Sequence, residues 1–163
     1  MSWMLQKLDV FLAGVVIAAA GIFASQSQIF AVQYIRHADV QLVEARAHLE
    51  DVQGGLRFRT MGDQVRGELE AEAKAQVAKL EGAGARVRDA NFLIRPLVMY
   101  RQGEPSLIDA THRDFVPALP KSAGLIAFTI LGMLIGFAIY EAIKLPLAVL
   151  AREPRRRKFR KRG

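Results

Sequence analysis

The sequence has 163 residues, a formal net charge of +7 and no cysteine. This length allows one ordinary domain, and the lack of cysteine excludes disulfides, thiolate chemistry and cysteine-based metal sites. The charge is uneven: residues 152–163 hold eight Lys or Arg and one acid, whereas residues 26–120 hold twelve basic and thirteen acidic residues. Net basicity therefore gives no reason to expect nucleic-acid binding by the main body.

The N-terminal part of the chain is predicted to enter a membrane. Residues 8–24 are apolar apart from Asp9. We interpret residues 1–25 as a short lead and a first transmembrane helix that starts near Leu5. A cleaved signal peptide is the alternative, but the lead carries a single cation, Lys7, which favours a retained anchor.

Residues 26–97 are predicted to form a periplasmic antiparallel helical hairpin. Small and apolar residues recur in steps of four and three, first up to Gly54 and then again after a glycine-containing break. Pro96 is expected to kink or end the second helix, because proline lacks the backbone donor. In each helix these residues form a heptad seam, and the seam of the second helix is predicted to include Gln76, Ile94 and Leu97. The principal seam residues are Ile35, Leu42, Leu49, Leu69, Leu80 and Val87. The seam can pack on itself or pair with another copy or another protein.

Residues 98–120 form an irregular connection that Gly and Pro punctuate, with a short helix expected from Ser106. The strongest signal follows, because no charge occurs between Lys121 and Glu141. A helix of about 20 residues covers the ~30 Å hydrocarbon core of a bilayer. We interpret residues 121–150 as a second transmembrane helix, capped by Ser122, with an interfacial end where Pro146 interrupts the apolar run.

Small residues on both apolar segments predict close helix packing. They can serve contact between the two spans or contact with another subunit. The residues of this predicted interface are Gly14, Ala18, Gly21, Gly124, Gly132 and Gly136.

Residues 151–163 form a basic tail. Basic residues beside a span stay in the cytoplasm, so both termini are predicted to be cytoplasmic and residues 26–120 periplasmic, in a bacterial inner membrane. The tail suits anionic lipid head groups, at ~1 kcal/mol per cation. An acidic partner is an alternative, whereas nucleic acid is not favoured. The tail cations are Arg155, Arg156, Arg157, Lys158, Arg160, Lys161 and Arg162.

No pattern in the sequence predicts catalysis, a metal site or a cofactor. His37 and His48 lie eleven residues apart, roughly 16 Å along a helix, too far to share one metal ion. Glu141 and Lys144 have i,i+3 spacing at the end of the second span. A charged pair in a membrane can mark an ion or proton path, but near the boundary a simple ion pair explains it.

Two stretches carry a family resemblance. The segment Gln28-Ile-Phe-Ala-Val-Gln-Tyr-Ile-Arg-His37 follows the first span, and Asp114-Phe-Val-Pro-Ala-Leu-Pro-Lys-Ser-Ala-Gly124 leads into the second. Together they resemble an uncharacterised proteobacterial family of small two-span inner-membrane proteins with a domain of unknown function. The resemblance implies the same architecture and supplies no activity, cofactor or catalytic residue.

The sequence thus predicts an all-α membrane protein in which two transmembrane helices are joined by a long extramembrane antiparallel hairpin. We expect a non-catalytic accessory or scaffolding subunit of a larger inner-membrane complex, with a membrane-protein partner or a homo-oligomer. The alternative is a self-assembling channel or transport component with Glu141 and Lys144 on its pathway.

Overall fold

The computed structural model describes residues 2–54 and 62–152, and over these residues the chain forms five α-helices and no strand. The prediction of an all-helical protein is therefore confirmed for this part of the chain. The helices are α1 (Ser2–Gly54), α2 (Asp63–Asp89), α3 (Arg95–Gln102), α4 (Pro105–Arg113) and α5 (Ala123–Arg152). They belong to two compact units, Met1–Gln26 with Leu119–Gly163, and Ser27–Ala118. We call these the apolar unit and the multi-helix unit.

The apolar unit contains the beginning of α1 and all of α5. Both helices are long and apolar enough to cross a membrane. Large apolar side chains on them stay at least half exposed, among them Phe11, Phe23 and Phe137. Ser122 caps the start of α5 as expected, since its Oγ accepts a hydrogen bond from the Leu125 backbone N–H at 3.3 Å.

Helix α5 continues past Pro146, at which the apolar run is interrupted, and ends at Arg152. Within a helix, proline removes one backbone donor and crowds the preceding turn, and this distorts a helix without always ending it. The basic residues 153–163 lie outside the described part of the chain.

The multi-helix unit is organised around the second part of α1. Its contacts with α2 run in opposite directions along the two helices, from Asp39 with Arg88 to Arg46 with Glu81. The core between the helices consists mainly of Ala31, Tyr34, Ala38, Leu80, Ala83, Val87, Met99 and Leu107. Gly84 lies against Ala38, where an added Cβ would be in ordinary van der Waals contact with the Ala38 Cβ at 3.4 Å.

The residues of the predicted seam differ in their burial. Leu80 and Val87 are buried, Ile35 and Leu42 pack against the core, and Leu49 and Leu69 are half-buried. Three further positions of the second seam are exposed, namely Gln76, Ile94 and Leu97. Ile94 and Leu97 leave the seam because α2 ends at Asp89, before they are reached.

Pro96 also behaves differently from the prediction. It lies in the first turn of α3 and so helps to begin a helix, because the first turn needs no backbone donor and the fixed φ of proline suits it. The end of α2 is capped instead by Arg95. The Arg95 Nη2 atom donates to the Arg88 and Ala90 carbonyl oxygens at 3.0 and 3.4 Å. A cation at this end also suits the helix dipole.

Candidate functional site

Close packing between α1 and α5 is the first feature of the apolar unit. A Cβ added at Gly132 would meet the Ala24 side chain and lie 2.9 Å from the Ala20 carbonyl oxygen. One added at Gly136 would meet the Ala20 side chain and lie 3.3 Å from the Val16 carbonyl oxygen. Both glycines are buried. The backbones thus approach each other where only glycine fits, as in other helix pairs built on small residues.

The predicted small-residue face divides into two groups. Gly21, like Gly132 and Gly136, is buried between the helices. Gly14, Ala18 and Gly124 are exposed, and a Cβ added at Gly14 would meet nothing within 4 Å. At 3.6 residues per turn, the stripe of α1 that contacts α5 is rotated about a third of a turn from Gly14 and Ala18. Their role in an interface stays a prediction.

A polar cluster lies in the same unit. The Tyr140 hydroxyl donates a hydrogen bond to Asp9 Oδ1 at 2.6 Å and lies 3.0 Å from the Asp9 carbonyl oxygen. The Lys144 ammonium forms an ion pair with the other carboxylate oxygen of Asp9. The side chains of Lys144 and Asp9 remain 44% and 37% exposed. The cluster therefore joins the two apolar helices and still presents charge at their surface.

The sequence pattern did not predict this cluster, because it related Lys144 to Glu141 on the same helix. The contact between Lys144 and Asp9 could have been found from the pairing of the two helices. If Gly136 opposes Ala20 in an antiparallel pair, then Lys144 opposes residue 12, which is one turn from Asp9. The partner of Lys144 thus follows from the register of the glycines.

We expect Asp9→Asn to lower the thermal midpoint in detergent clearly more than Glu141→Gln does. The first change leaves Lys144 without its carboxylate, whereas the second removes only the partner that the i,i+3 spacing suggested. The double variant Asp9→Asn with Lys144→Met should lose less than the sum of the two single variants, since the two groups interact. Equal effects of Asp9→Asn and Glu141→Gln would contradict the arrangement.

Three side chains of α1 bind the connecting segments in the multi-helix unit. The amide of Gln33 donates to the Val116 carbonyl oxygen at 2.8 Å and accepts from the Val116 N–H at 3.3 Å. The Gln28 amide donates to the Phe92 carbonyl oxygen. These bonds hold two irregular segments in place although neither segment belongs to a strand. They can do so because a side-chain amide offers the same donor and acceptor as a peptide group.

Tyr34 is the third of these side chains. It is completely buried, and its hydroxyl accepts a hydrogen bond at 2.8 Å from the backbone N–H of Glu104, the residue before α4. Burial raises the pKa of the Tyr34 phenol above its ordinary value of 10.0. Glu104 is held from a second side by an ion pair with Lys79 at 2.9 Å. Tyr34 thereby connects α1 to the start of α4.

The three histidines differ in their surroundings. His112 lies against Phe30, with 5.1 Å between the ring centroids, and Phe30 also lies 5.5 Å from the Phe115 ring. His37 is half-buried and His48 exposed. Over residues 2–54 and 62–152, no three His, Cys, Asp or Glu side chains lie close enough to hold a metal ion. The expectation that the chain is not an enzyme and needs no cofactor stays a prediction.

The contacts of Gln33 and Phe30 bring together the two stretches that carried the family resemblance, since both side chains bind the segment that begins at Asp114. Residues 57–153 match the family described as "Protein of unknown function (DUF2937)", and they make up more than half of the chain. The chain belongs to the DUF2937 family. Neither a curated protein nor a solved structure matches it. The proteobacterial origin and the two membrane spans stay predictions.

The DUF2937 match covers α2 to α5 and leaves out α1. In the apolar unit, Gly132 and Tyr140 lie inside the match, but their contacts on α1 lie outside it. In the multi-helix unit, Glu104 and Val116 lie inside the match and are bound by side chains of α1. The structure of the DUF2937 region therefore depends on a helix that the family match does not include.

Proposed function

We propose that this protein is a non-catalytic accessory or scaffolding subunit of a larger bacterial inner-membrane complex. The observation that carries the proposal is the use of the polar side chains in the multi-helix unit. Gln28, Gln33 and Tyr34 bind the backbone of their own unit. Groups engaged in this way hold a shape and are not available to a substrate. A folded helical unit in a chain that also has two apolar helices suits protein contact at a membrane.

In this proposal the two apolar helices cross the membrane, and residues 26–97 form the predicted hairpin on the periplasmic side. The length and apolar character of α1 and α5 support the two spans. The basic tail supports a cytoplasmic C-terminus, because Lys and Arg beside a span are retained in the cytoplasm. Glycine contacts between the spans supply an anchor, and the exposed Gly14 and Ala18 remain available for a neighbouring subunit.

The proposed topology predicts the labelling of single cysteines. The chain has no cysteine of its own, so labelling has no background. In intact spheroplasts, a membrane-impermeant maleimide should react with Asp109→Cys, which replaces an exposed residue of α4. It should react with Gly163→Cys only after the membrane is permeabilised. The reverse pattern would contradict the topology, and equal labelling of both would contradict two crossings.

The test of the function itself is purification of the full-length protein from its native membrane in a mild detergent, followed by native mass spectrometry. A stoichiometric complex with other membrane proteins would support the accessory role and would name the process. A homo-oligomer without other proteins would contradict that role and would favour a self-assembled scaffold or pore.

A channel or transport component is the second candidate, and the polar cluster of Asp9, Tyr140 and Lys144 favours it. Charged groups within membrane helices are costly and often mark a path for ions or protons. In this candidate, Glu141 and Lys144 line a pathway formed by several copies. Ion or proton flux into vesicles that contain the purified protein, abolished by Asp9→Asn, would support it. The absence of flux would leave the cluster as a contact between helices.

A further inference from the structure

The segment of residues 90–103, which contains α3, exposes an apolar surface. Its exposed large side chains, each 51–73% exposed, are Leu93, Ile94, Leu97 and Tyr100. In the rest of residues 27–54 and 62–118, the exposed large apolar side chains are all valines. Exposed leucine, isoleucine and tyrosine are thus concentrated in one short segment, and such a concentration marks a surface for contact outside the unit.

The two sides of α3 differ in burial. Leu93, Leu97 and Tyr100 follow one another in steps of four and three, which places them on one side of a helix. Met99 lies on the other side, is 1% exposed and belongs to the core of the multi-helix unit. The core therefore holds α3 by one side, and the exposed side can be substituted without disturbing that core.

The 90–103 segment lies at one particular end of the multi-helix unit. From the end of α1 backwards, the residues that α1 contacts are Glu70, Glu81, Arg88 and Phe92, through Gln53, Arg46, Asp39 and Gln28 in turn. Gln28 follows the apolar run of residues 8–24 by four positions, which is about 6 Å along a helix axis. Because Gln28 binds the Phe92 carbonyl oxygen, the exposed face that begins at Leu93 starts one turn of α1 beyond that run.

This distance matches the dimensions of a bilayer. The head-group layer on each side of the hydrocarbon core is roughly 5–7 Å thick. If residues 8–24 cross that core, as proposed above, Gln28 and the Phe92 carbonyl oxygen lie at the level of the head groups. Apolar side chains that leave the backbone at this depth can enter the hydrocarbon, and tyrosine is enriched at the same boundary.

The charges of the segment also suit a lipid surface. No acidic residue occurs between Asp89 and Glu104, whereas Arg95 and Arg101 are both present. In contrast, α2 carries six acidic and five basic residues. Arg95 binds the end of α2, and Arg101 is exposed next to the apolar face. Arginine beside apolar and aromatic side chains, without an acid to repel phosphate, is typical of a segment that lies in a membrane interface.

We propose that the 90–103 segment is a second membrane contact, in which Leu93, Ile94 and Leu97 enter the acyl region of the periplasmic leaflet and Arg101 binds lipid phosphate. The proposal rests on the two membrane spans of the proposed function. It deepens that function by naming a lipid surface as a binding partner of the multi-helix unit. The unit is then attached to the bilayer at α3 as well as through α1.

Site-specific fluorescence quenching in vesicles tests this contact. The full-length protein is placed in vesicles of phosphatidylethanolamine and phosphatidylglycerol, with a nitrobenzoxadiazole label on Leu93→Cys or Leu97→Cys. Nitroxide groups on the lipid acyl chains should quench these labels several times more strongly than a label on Val43→Cys. Val43 is a matched control, because it is 67% exposed and lies fifteen residues beyond Gln28 on α1. Quenching no stronger than at this control would overturn the proposal.

A label on Phe137→Cys distinguishes failure of this contact from failure of the two spans. Phe137 is 50% exposed on α5. Quenching at Phe137 but not at Leu93 or Leu97 would overturn the lipid contact and leave the spans. No quenching at Phe137 would overturn the spans and the lipid contact together. Strong quenching of the Leu93 and Leu97 labels by aqueous iodide, as at an open surface that another protein covers, would also overturn the lipid contact. The purified protein holds no other subunit, so these results do not depend on the accessory role.

A charge placed in the exposed face tests insertion without altering the core. Leu97→Glu should lower the lipid quenching of the Leu93→Cys label towards the control level, whereas Leu97→Met should preserve it, with unchanged circular dichroism in both variants. Unchanged quenching in Leu97→Glu would overturn the proposal. Arg101→Glu should also lower the quenching, because it replaces a cation by an acid beside the lipid phosphates. Unchanged quenching in that variant would overturn the phosphate contact.

Discussion

Gly132→Leu is expected to separate the two apolar helices and to lower the free energy of unfolding of the apolar unit by about 3 kcal/mol, the upper end of the cost of overpacking. The added side chain would meet the Ala24 side chain and the Ala20 carbonyl oxygen, which lies 2.9 Å from the position of a Cβ. Backbone atoms cannot move aside as a flexible side chain can, so the helices must part.

Gly14→Leu is the matched control for this prediction. It makes the same chemical change on α1, where a Cβ meets nothing within 4 Å, and leucine also favours helix over glycine. Unfolding in mixed micelles with increasing sodium dodecyl sulfate, followed by the fluorescence of the single tryptophan, Trp3, would measure both variants. Equal stability of the two variants would refute the glycine-mediated helix pair.

Tyr34→Ala is expected to lower the free energy of unfolding of the multi-helix unit by about 3–5 kcal/mol, as for other large buried aromatic residues. The side chain is completely buried, and its hydroxyl binds the Glu104 N–H. Tyr34→Phe keeps most of the volume but leaves that N–H without its partner, and should cost about 1–3 kcal/mol.

The control for Tyr34 is Tyr100→Ala, because Tyr100 is 73% exposed and surface changes usually stay within about 0.5 kcal/mol. Urea unfolding of the full-length protein in dodecylmaltoside, followed by far-ultraviolet circular dichroism, would compare the three variants. A loss for Tyr34→Ala no greater than that for Tyr100→Ala would show that Tyr34 does not hold α1 to the start of α4.

The sequence was informative where the fold repeats a local pattern. Steps of four and three correctly indicated that Leu80 and Val87 are buried against α1, since a helix places such residues on one face. The same pattern could not predict Met99 and Leu107, which enter the core from the short helices α3 and α4. Their burial depends on how the connecting segments fold back, and no spacing within one helix contains that information.

The polar contacts were harder to predict for a related reason. Tyr34 and Gln33 bind residues 70 and 83 positions away in the sequence, and an uncharged side chain gives no sign of a distant partner. The Asp9 contact involved charges, but the i,i+3 spacing offered Lys144 a nearer partner in Glu141. The closer neighbour was the wrong one, because the packed glycines fix the helix register that brings Lys144 to Asp9.

The separation between Asp9 and its partners also sets an order of events during synthesis. Tyr140 follows Asp9 by 131 residues and Lys144 by 135 residues. At a translation rate of about 5–20 residues per second, a nascent chain waits roughly 7–27 s before the ammonium that pairs with this carboxylate has been made. In the proposed membrane topology, Asp9 is without this partner throughout that interval. Pairing of α1 with α5 is therefore a late step in the biogenesis of the protein.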